Sequence, residues 1–229
     1  MTITPTTLFR ASGVAASLAG LIFVGVQINH PHLDATSITT TEVAVRDSLK
    51  VLMAALGIVG ITGMYLRQVR QTGVVGLIGY LLLSTCYLSI MSTAFVAAYV
   101  LPSVAGTETS YVNDVLAAAT NGTAVGDIGA LHSVFVVQGI TYLAGGLIFG
   151  IALYRARVLA RWAAVLLAVG GMISALLTVM PDAFYRFLAF PNGIAMVALG
   201  YSLWMNARTD STTRQPAVDA PRLATAGAA

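Results

Sequence analysis

Residues 60–83 read GITGMYLRQVRQTGVVGLIGYLLL. An apolar run closes on Tyr65 and Leu66, the basic break RQVRQTG (67–73) follows, and a second apolar run opens at once. In lipid, only helices and closed barrels satisfy every backbone N–H and C=O internally. Two uncharged runs joined by a short arginine-bearing turn therefore predict a helical membrane hairpin. A spanning helix needs roughly 20 mainly apolar residues, and outward from this hairpin six runs meet that need: 8–29, 48–66, 74–101, 128–154, 161–180 and 188–206. The third and fourth are long enough to tilt or to project beyond the bilayer. The segments between them, 30–47, 67–73, 102–127, 155–160 and 181–187, read as polar or punctuated loops. Residues 207–229 are polar, hold Pro216 and Pro221, and are expected to be a disordered cytoplasmic tail. The predicted fold class is all-α, a polytopic bundle of six transmembrane helices.

Composition agrees. Of 229 residues, 57% are hydrophobic and only 9% are charged, where a soluble domain carries about 25% charged residues. No Lys/Arg cluster interleaved with aromatics is present, which argues against nucleic acid as a partner. The single cysteine, Cys86, excludes an internal disulfide, paired-thiol redox chemistry and thiolate metal clusters within one chain. The first run lacks a small-x-small cleavage pattern after it, so it reads as a retained helix rather than a cleaved leader.

Cation placement sets the expected topology. Arg10, Arg67, Arg70, Arg155, Arg157, Arg161, Arg208, Arg214 and Arg222 share one side of a six-helix arrangement, against Arg46, Lys50 and Arg186 on the other. That split predicts an inner-membrane, multi-pass protein with both termini cytoplasmic. Glycines mark expected helix contacts: Gly57, Gly60 and Gly63; Gly73, Gly76 and Gly79; Gly146 and Gly150; Gly170 and Gly171. The same glycine-rich faces offer a route to a homo-oligomer. A weak parallel repeat relates the hairpin at 60–83 to the one around GLIFGIALYRARVLARWAAVLLAVGG (146–171).

No run has a charge near its middle, which counts against a carboxylate-lined ion path. The chemistry-bearing residues gather instead at the predicted outer face. There QINHPHLD (27–34) places His30 at a helix exit, and Pro31 breaks the helix ahead of His32 and Asp34. The third histidine, His132, is expected on the same side. Candidate acid–base residues are His30, His132, Asp127 and Asp182. Candidate ligand-binding residues are Gln27, Gln138, Tyr142, Arg46 and Lys50; the Arg46/Lys50 pair reads first as an interfacial anchor and second as an anionic headgroup site. His30, His32 and His132 are the only set with metal-ligand chemistry, and interfacial loop residues holding no metal are the stronger reading of them. No motif indicates a cofactor.

The stretches AGLIFVGVQINHPH (19–32) and GITGMYLRQVRQTGVVGLIGYLLL (60–83) resemble small polytopic membrane proteins of actinomycetes. The resemblance covers about the first hundred residues and implies a multi-pass bacterial membrane protein; it carries no activity with it. Three functional expectations follow. The leading one is a binding or accessory component with a polar pocket on the extracytoplasmic face. The others are an enzyme acting through His/Asp residues on a lipid or isoprenoid-like substrate at the outer leaflet, and a small transporter built on the hairpin repeat. The expected partners are the bilayer itself and a lipid-like small molecule.

Overall fold

The computed structural model describes residues 4–120, 122–176 and 190–213. Among these the chain is helical with no strands. Helix α1 (Pro5–Gly25) starts on Thr4, whose hydroxyl accepts the Thr7 N–H, with Pro5 at the first helical position. It ends at Gly25, short of the predicted 29, and the chain continues through tight turns to Asn29, which adopts a left-handed φ of 51°. After a short 3₁₀ turn (Ser37–Thr39), helix α2 (Thr41–Arg67) is capped by the Thr40 hydroxyl and carries Glu42 in its first turn and Arg67 in its last. Those charges complement the helix dipole at both ends. This start lies seven residues ahead of the predicted one, so Arg46 and Asp47 belong to the helix, as Lys50 does, and not to a loop.

The predicted loop 67–73 is reduced to a break at Gln68 and a kinked first turn of α3 (Val69–Phe95), with Gly73 at φ 54°. A wide π-type turn (Val96–Val100) carries α3 into α4 (Leu101–Val104), giving one apolar rod of 36 residues. Pro102 lacks the N–H that would bond back to Ala98, and the wide turn absorbs that loss. At 1.5 Å per residue the rod is about 54 Å long, so it overruns a ~30 Å hydrocarbon core, as its length in sequence predicts. The segment 102–127 is not the loop expected. It holds helix α5 (Thr109–Ala119), which buries Val112, Val115 and Leu116 against Ile38, Leu101 and Ile128 in a small cluster of its own.

Helix α6 (Ala130–Ala156) ends on Arg157 in the left-handed conformation that closes many helices. Helices α7 (Arg161–Leu176) and α8 (Phe190–Thr213) complete the described chain. Helix α8 runs past the predicted boundary at 206. The ends of the predicted spans 161–180 and 188–206, the 181–187 connection and the rest of the tail lie outside the described residues. Among the described residues four helices are long and apolar enough to cross a membrane: α1, α2, the α3–α4 rod and α6.

Each long helix packs on its neighbour in sequence, α1 on α2, α2 on α3, α3 on α6, α6 on α7 and α7 on α8, and α8 returns to α1 to close a ring. Ile61, Met64, Leu83, Phe149, Leu167 and Leu199 fill its centre. The outward faces are apolar too, with Leu21, Leu52, Leu81, Ile140 and Tyr201 all well exposed, which is the surface of a protein solvated by lipid. Seams close on glycine. A Cβ on Gly79 would lie 2.5 Å from the Phe149 nitrogen, and one on Gly145 would lie 2.6 Å from the Leu83 nitrogen. Across α1 and α8, a Cβ on Gly13 would lie 2.6 Å from the Gly200 carbonyl, and Gly20 meets Gly193 in the same way. Most of the glycines on the faces offered for self-association are in contact with the chain's own residues, backbone at Gly79, Gly150 and Gly171 and side chains at Gly57, Gly63 and Gly170, while Gly73 is open.

Candidate functional site

The site is built where α1 finishes and α2 begins. Arg46, in the second turn of α2, reaches back over the end of α1. Its Nη1 donates to the carbonyls of Val26 and Ile28, its Nη2 to that of Asn29, and its Nε and Nη2 to Glu42 at 3.1 and 2.9 Å. A guanidinium has five N–H donors, and all five are engaged. Arg46 is therefore a C-terminal cap for α1, held in aim by the Glu42 carboxylate, and has no donor left for a headgroup.

One residue on, the helix turns by about 100° and Asp47 faces inward, on the same stripe as Val43, Ala54, Gly57, Ile61 and Met64. It is only 2% exposed. Lys50, one turn further, donates to Asp47 Oδ1 at 2.5 Å. The same ammonium lies 3.4 Å from His30 Nε2, while His30 Nδ1 lies 2.9 Å from the Pro31 carbonyl oxygen. A carbonyl only accepts, so Nδ1 carries a proton in that contact. Asp47, Lys50 and His30 form a chain of contacts from α2 to the α1 exit. The second carboxylate oxygen of Asp47, Oδ2, is buried and has no hydrogen-bond partner. Burying a carboxylate oxygen without a donor is costly, so this atom is the open valence of the site.

Most other acids near this end serve the local backbone. Asp34 accepts from the N–H groups of Thr36 and Ser37 at 2.9 and 2.7 Å. The Ser37 N–H foremost, then that of Thr36, the Ser37 hydroxyl and the His32 charge, hold the Asp34 carboxyl below its usual range against a smaller opposing effect of burial. Asp114 accepts from Val125 and Gly126 and pins the loop after α5. Asp127 is exposed and accepts the Gly129 N–H at 2.7 Å at the start of α6. Glu42 holds Arg46.

The sequence-predicted residues divide accordingly. Lys50 and His30 come together, and Asp47, which was not among the candidate site residues, joins them. His32 is exposed beside Asp34. His132 is exposed in the first turn of α6, and among the described residues its ring makes no hydrogen bond or ion pair, so it meets neither His30 nor Asp127. Among the described residues no three His, Cys, Asp or Glu side chains gather as a metal would require, so His30, His32 and His132 do not form a ligand set. Gln27 is half-buried in the turn after α1. Gln138 and Tyr142 sit deeper in the bundle. Gln138 accepts from the Thr93 hydroxyl on α3 at 3.2 Å, and the Tyr142 hydroxyl accepts from the Asn192 amide on α8. Asp182 and Arg186 lie outside the described residues. An open groove of about 470 Å³ lies between α1 and α2, lined by Ile22, Val26, Val45, Leu49 and Arg46.

Fold and site define a helical bundle with several helices long and apolar enough to cross a membrane and a buried carboxylate at one end. Compared with known proteins, the chain matches no family model, no curated protein and no solved structure.

Proposed function

We propose that this chain is a six-span inner-membrane protein of the kind found in actinomycetes, with both termini cytoplasmic, and that it acts as a binding or accessory component through the Asp47–Lys50–His30 site on its extracytoplasmic face. The closed ring supports six spans, since α7 and α8 occupy the two places left by α1, α2, the α3–α4 rod and α6. The cation asymmetry supports the orientation. The binding reading is carried by one observation: Asp47 is buried, is paired on one oxygen by Lys50, and offers the other with no donor. An ionisable group held at a membrane boundary at such cost marks a site by default. What would complete it is a group that donates to Asp47 Oδ2 and accepts from Lys50. A lipid-like molecule bearing a hydroxyl or amine beside a phosphate or carboxylate has that chemistry.

Transport has weaker support. A solute path would run between the hairpins α2–α3 and α6–α7, where Gly79 and Gly145 bring the backbones of α3 and α6 into contact. The test is native mass spectrometry of protein purified from its membrane in mild detergent, alongside Asp47→Asn and Lys50→Met. A co-purifying amphiphile that both variants lose is the expected result. Equal retention by both variants, or no bound species in any sample, refutes the proposal.

A further inference from the structure

A second polar site lies at the centre of the ring, independent of the first. Asn192 enters from α8, is 5% exposed, and lays its carboxamide over Gly170 of α7. A Cβ on Gly170 would sit 2.6 Å from the Asn192 Cγ, so only glycine leaves this space. The Asn192 amide nitrogen donates to the Tyr142 hydroxyl on α6. Its oxygen, Oδ1, is buried and receives no hydrogen bond. From α3 comes Tyr87, whose ring packs flat against Gly57 of α2; a Cβ there would lie 2.9 Å from the Tyr87 Cε1. Among the described residues the Tyr87 hydroxyl makes no hydrogen bond.

Two glycines thus admit two polar side chains to the middle of the membrane, and both side chains line the same cavity. Phe23, Leu83 and Leu167 form its apolar walls, and Tyr142 supplies the third polar group. Its free volume is about 10 Å³. That is about the least that holds one water molecule, and a site for water also needs two to four polar partners. An apolar cavity of this size would stay dry. This one has a buried acceptor with no donor, a hydroxyl with no partner and a second hydroxyl beside them.

We infer that the centre of the ring is a binding site for a single water molecule, which donates to Asn192 Oδ1 and accepts from the Tyr87 hydroxyl. The water completes the Tyr142–Asn192 pair and connects α3, α6 and α8 at a depth where no bulk water satisfies polar groups. It also explains why Asn192 persists in an otherwise apolar helix: without the water its oxygen would be an unpaired acceptor in lipid-like surroundings.

The test has two arms, both on the full chain in lipid nanodiscs. A structure at a resolution that shows ordered waters should place one peak about 2.7–3.2 Å from both Asn192 Oδ1 and the Tyr87 oxygen. An empty cavity, or density too long for water, overturns the inference. In solid-state NMR, water-edited transfer to the Asn192 side-chain amide should be clear in the parent and fall several-fold in Tyr87→Phe. That variant keeps the ring on Gly57 and removes only the hydroxyl. Transfer that is absent in the parent, or unchanged in Tyr87→Phe, also overturns it.

Discussion

Replacing Arg46 tests whether it is a structural cap or a lipid clamp. Its guanidinium binds three backbone carbonyls at the end of α1. Hydrogen bonds from a charged donor contribute about 1.5–3 kcal/mol each when dry. The Arg46 side chain is 18% exposed, so water can replace part of each bond, and about 1 kcal/mol apiece is the better figure. Arg46→Ala should then cost about 3 kcal/mol, because all three carbonyls lose their donor. Arg46→Lys keeps the charge but presents a point-like ammonium instead of a fork, and should cost about 1–2 kcal/mol. Glu42 is 56% exposed and contributes only aim, so Glu42→Ala should cost no more than about 0.5 kcal/mol. Denaturant unfolding in mixed micelles, with anionic-lipid binding measured on the same samples, reads all three. Two outcomes would refute the reasoning: Glu42→Ala costing as much as Arg46→Ala, or Arg46→Ala leaving stability unchanged while it abolishes anionic-lipid binding.

The seams offer a paired comparison. Gly79→Ala puts a methyl 2.5 Å from the Phe149 nitrogen, backbone that cannot turn aside, and should cost about 1–3 kcal/mol. Gly139→Ala meets nothing within 4 Å and should stabilise α6 by up to about 1 kcal/mol; equal effects in thermal unfolding would contradict the glycine-seam reading. Because the folded Asp34 carboxyl is held below its ordinary range, the stability it gives the 34–37 turn is present above the unfolded value and lost as pH falls below about 4 and through the folded one. Amide exchange at Thr36 and Ser37 should quicken over that acid window, and Asp34→Asn should remove the pH dependence. Asp114→Ala frees the N–H groups of Val125 and Gly126, so their exchange should quicken while that of α6 stays as it was.

Much of the bundle was legible because membrane length and backbone satisfaction leave few options to an apolar run. What was not legible has local physical causes. The apolar run of α2 begins near residue 48, whereas the helix begins at Thr41. A capping hydroxyl sets that boundary, and hydropathy does not register it, so Asp47 passed for a loop acid. The amphipathic spacing of Val112, Val115 and Leu116 was a readable signal for α5; it was overlooked among polar residues. Gly13 and Gly20 face Gly200 and Gly193 at a matching seven-residue spacing. That correspondence shows only once the ring is known to close α8 onto α1. Asn192 was illegible for another reason. One asparagine in an apolar helix gives no hint of its direction, and its place over Gly170 depends on a contact between different helices.

A face rich in acids invites the expectation of chemistry, and counting them was the wrong guide. At this end of the bundle Asp34, Asp114 and Asp127 each accept from backbone N–H groups within their own loops or the loop they close, and Glu42 is committed to Arg46. Such carboxylates are the ordinary means by which irregular chain satisfies its donors where helices end. Asp47 differs in kind. It sits on a regular helix whose own N–H groups are already bonded, so no backbone need explains it. Its partner Lys50 is on the same helix, so the ion pair ties no two elements together. The contact that crosses between elements is the one from Lys50 to His30. A residue that neither caps nor cross-links, yet is buried with an oxygen unpaired, is better explained by something it binds than by the fold. Asp47→Asn separates the two accounts: it should abolish ligand retention while costing little stability, because the apolar packing and the cap by Arg46 remain. A large loss of stability with retention intact would return Asp47 to a structural role.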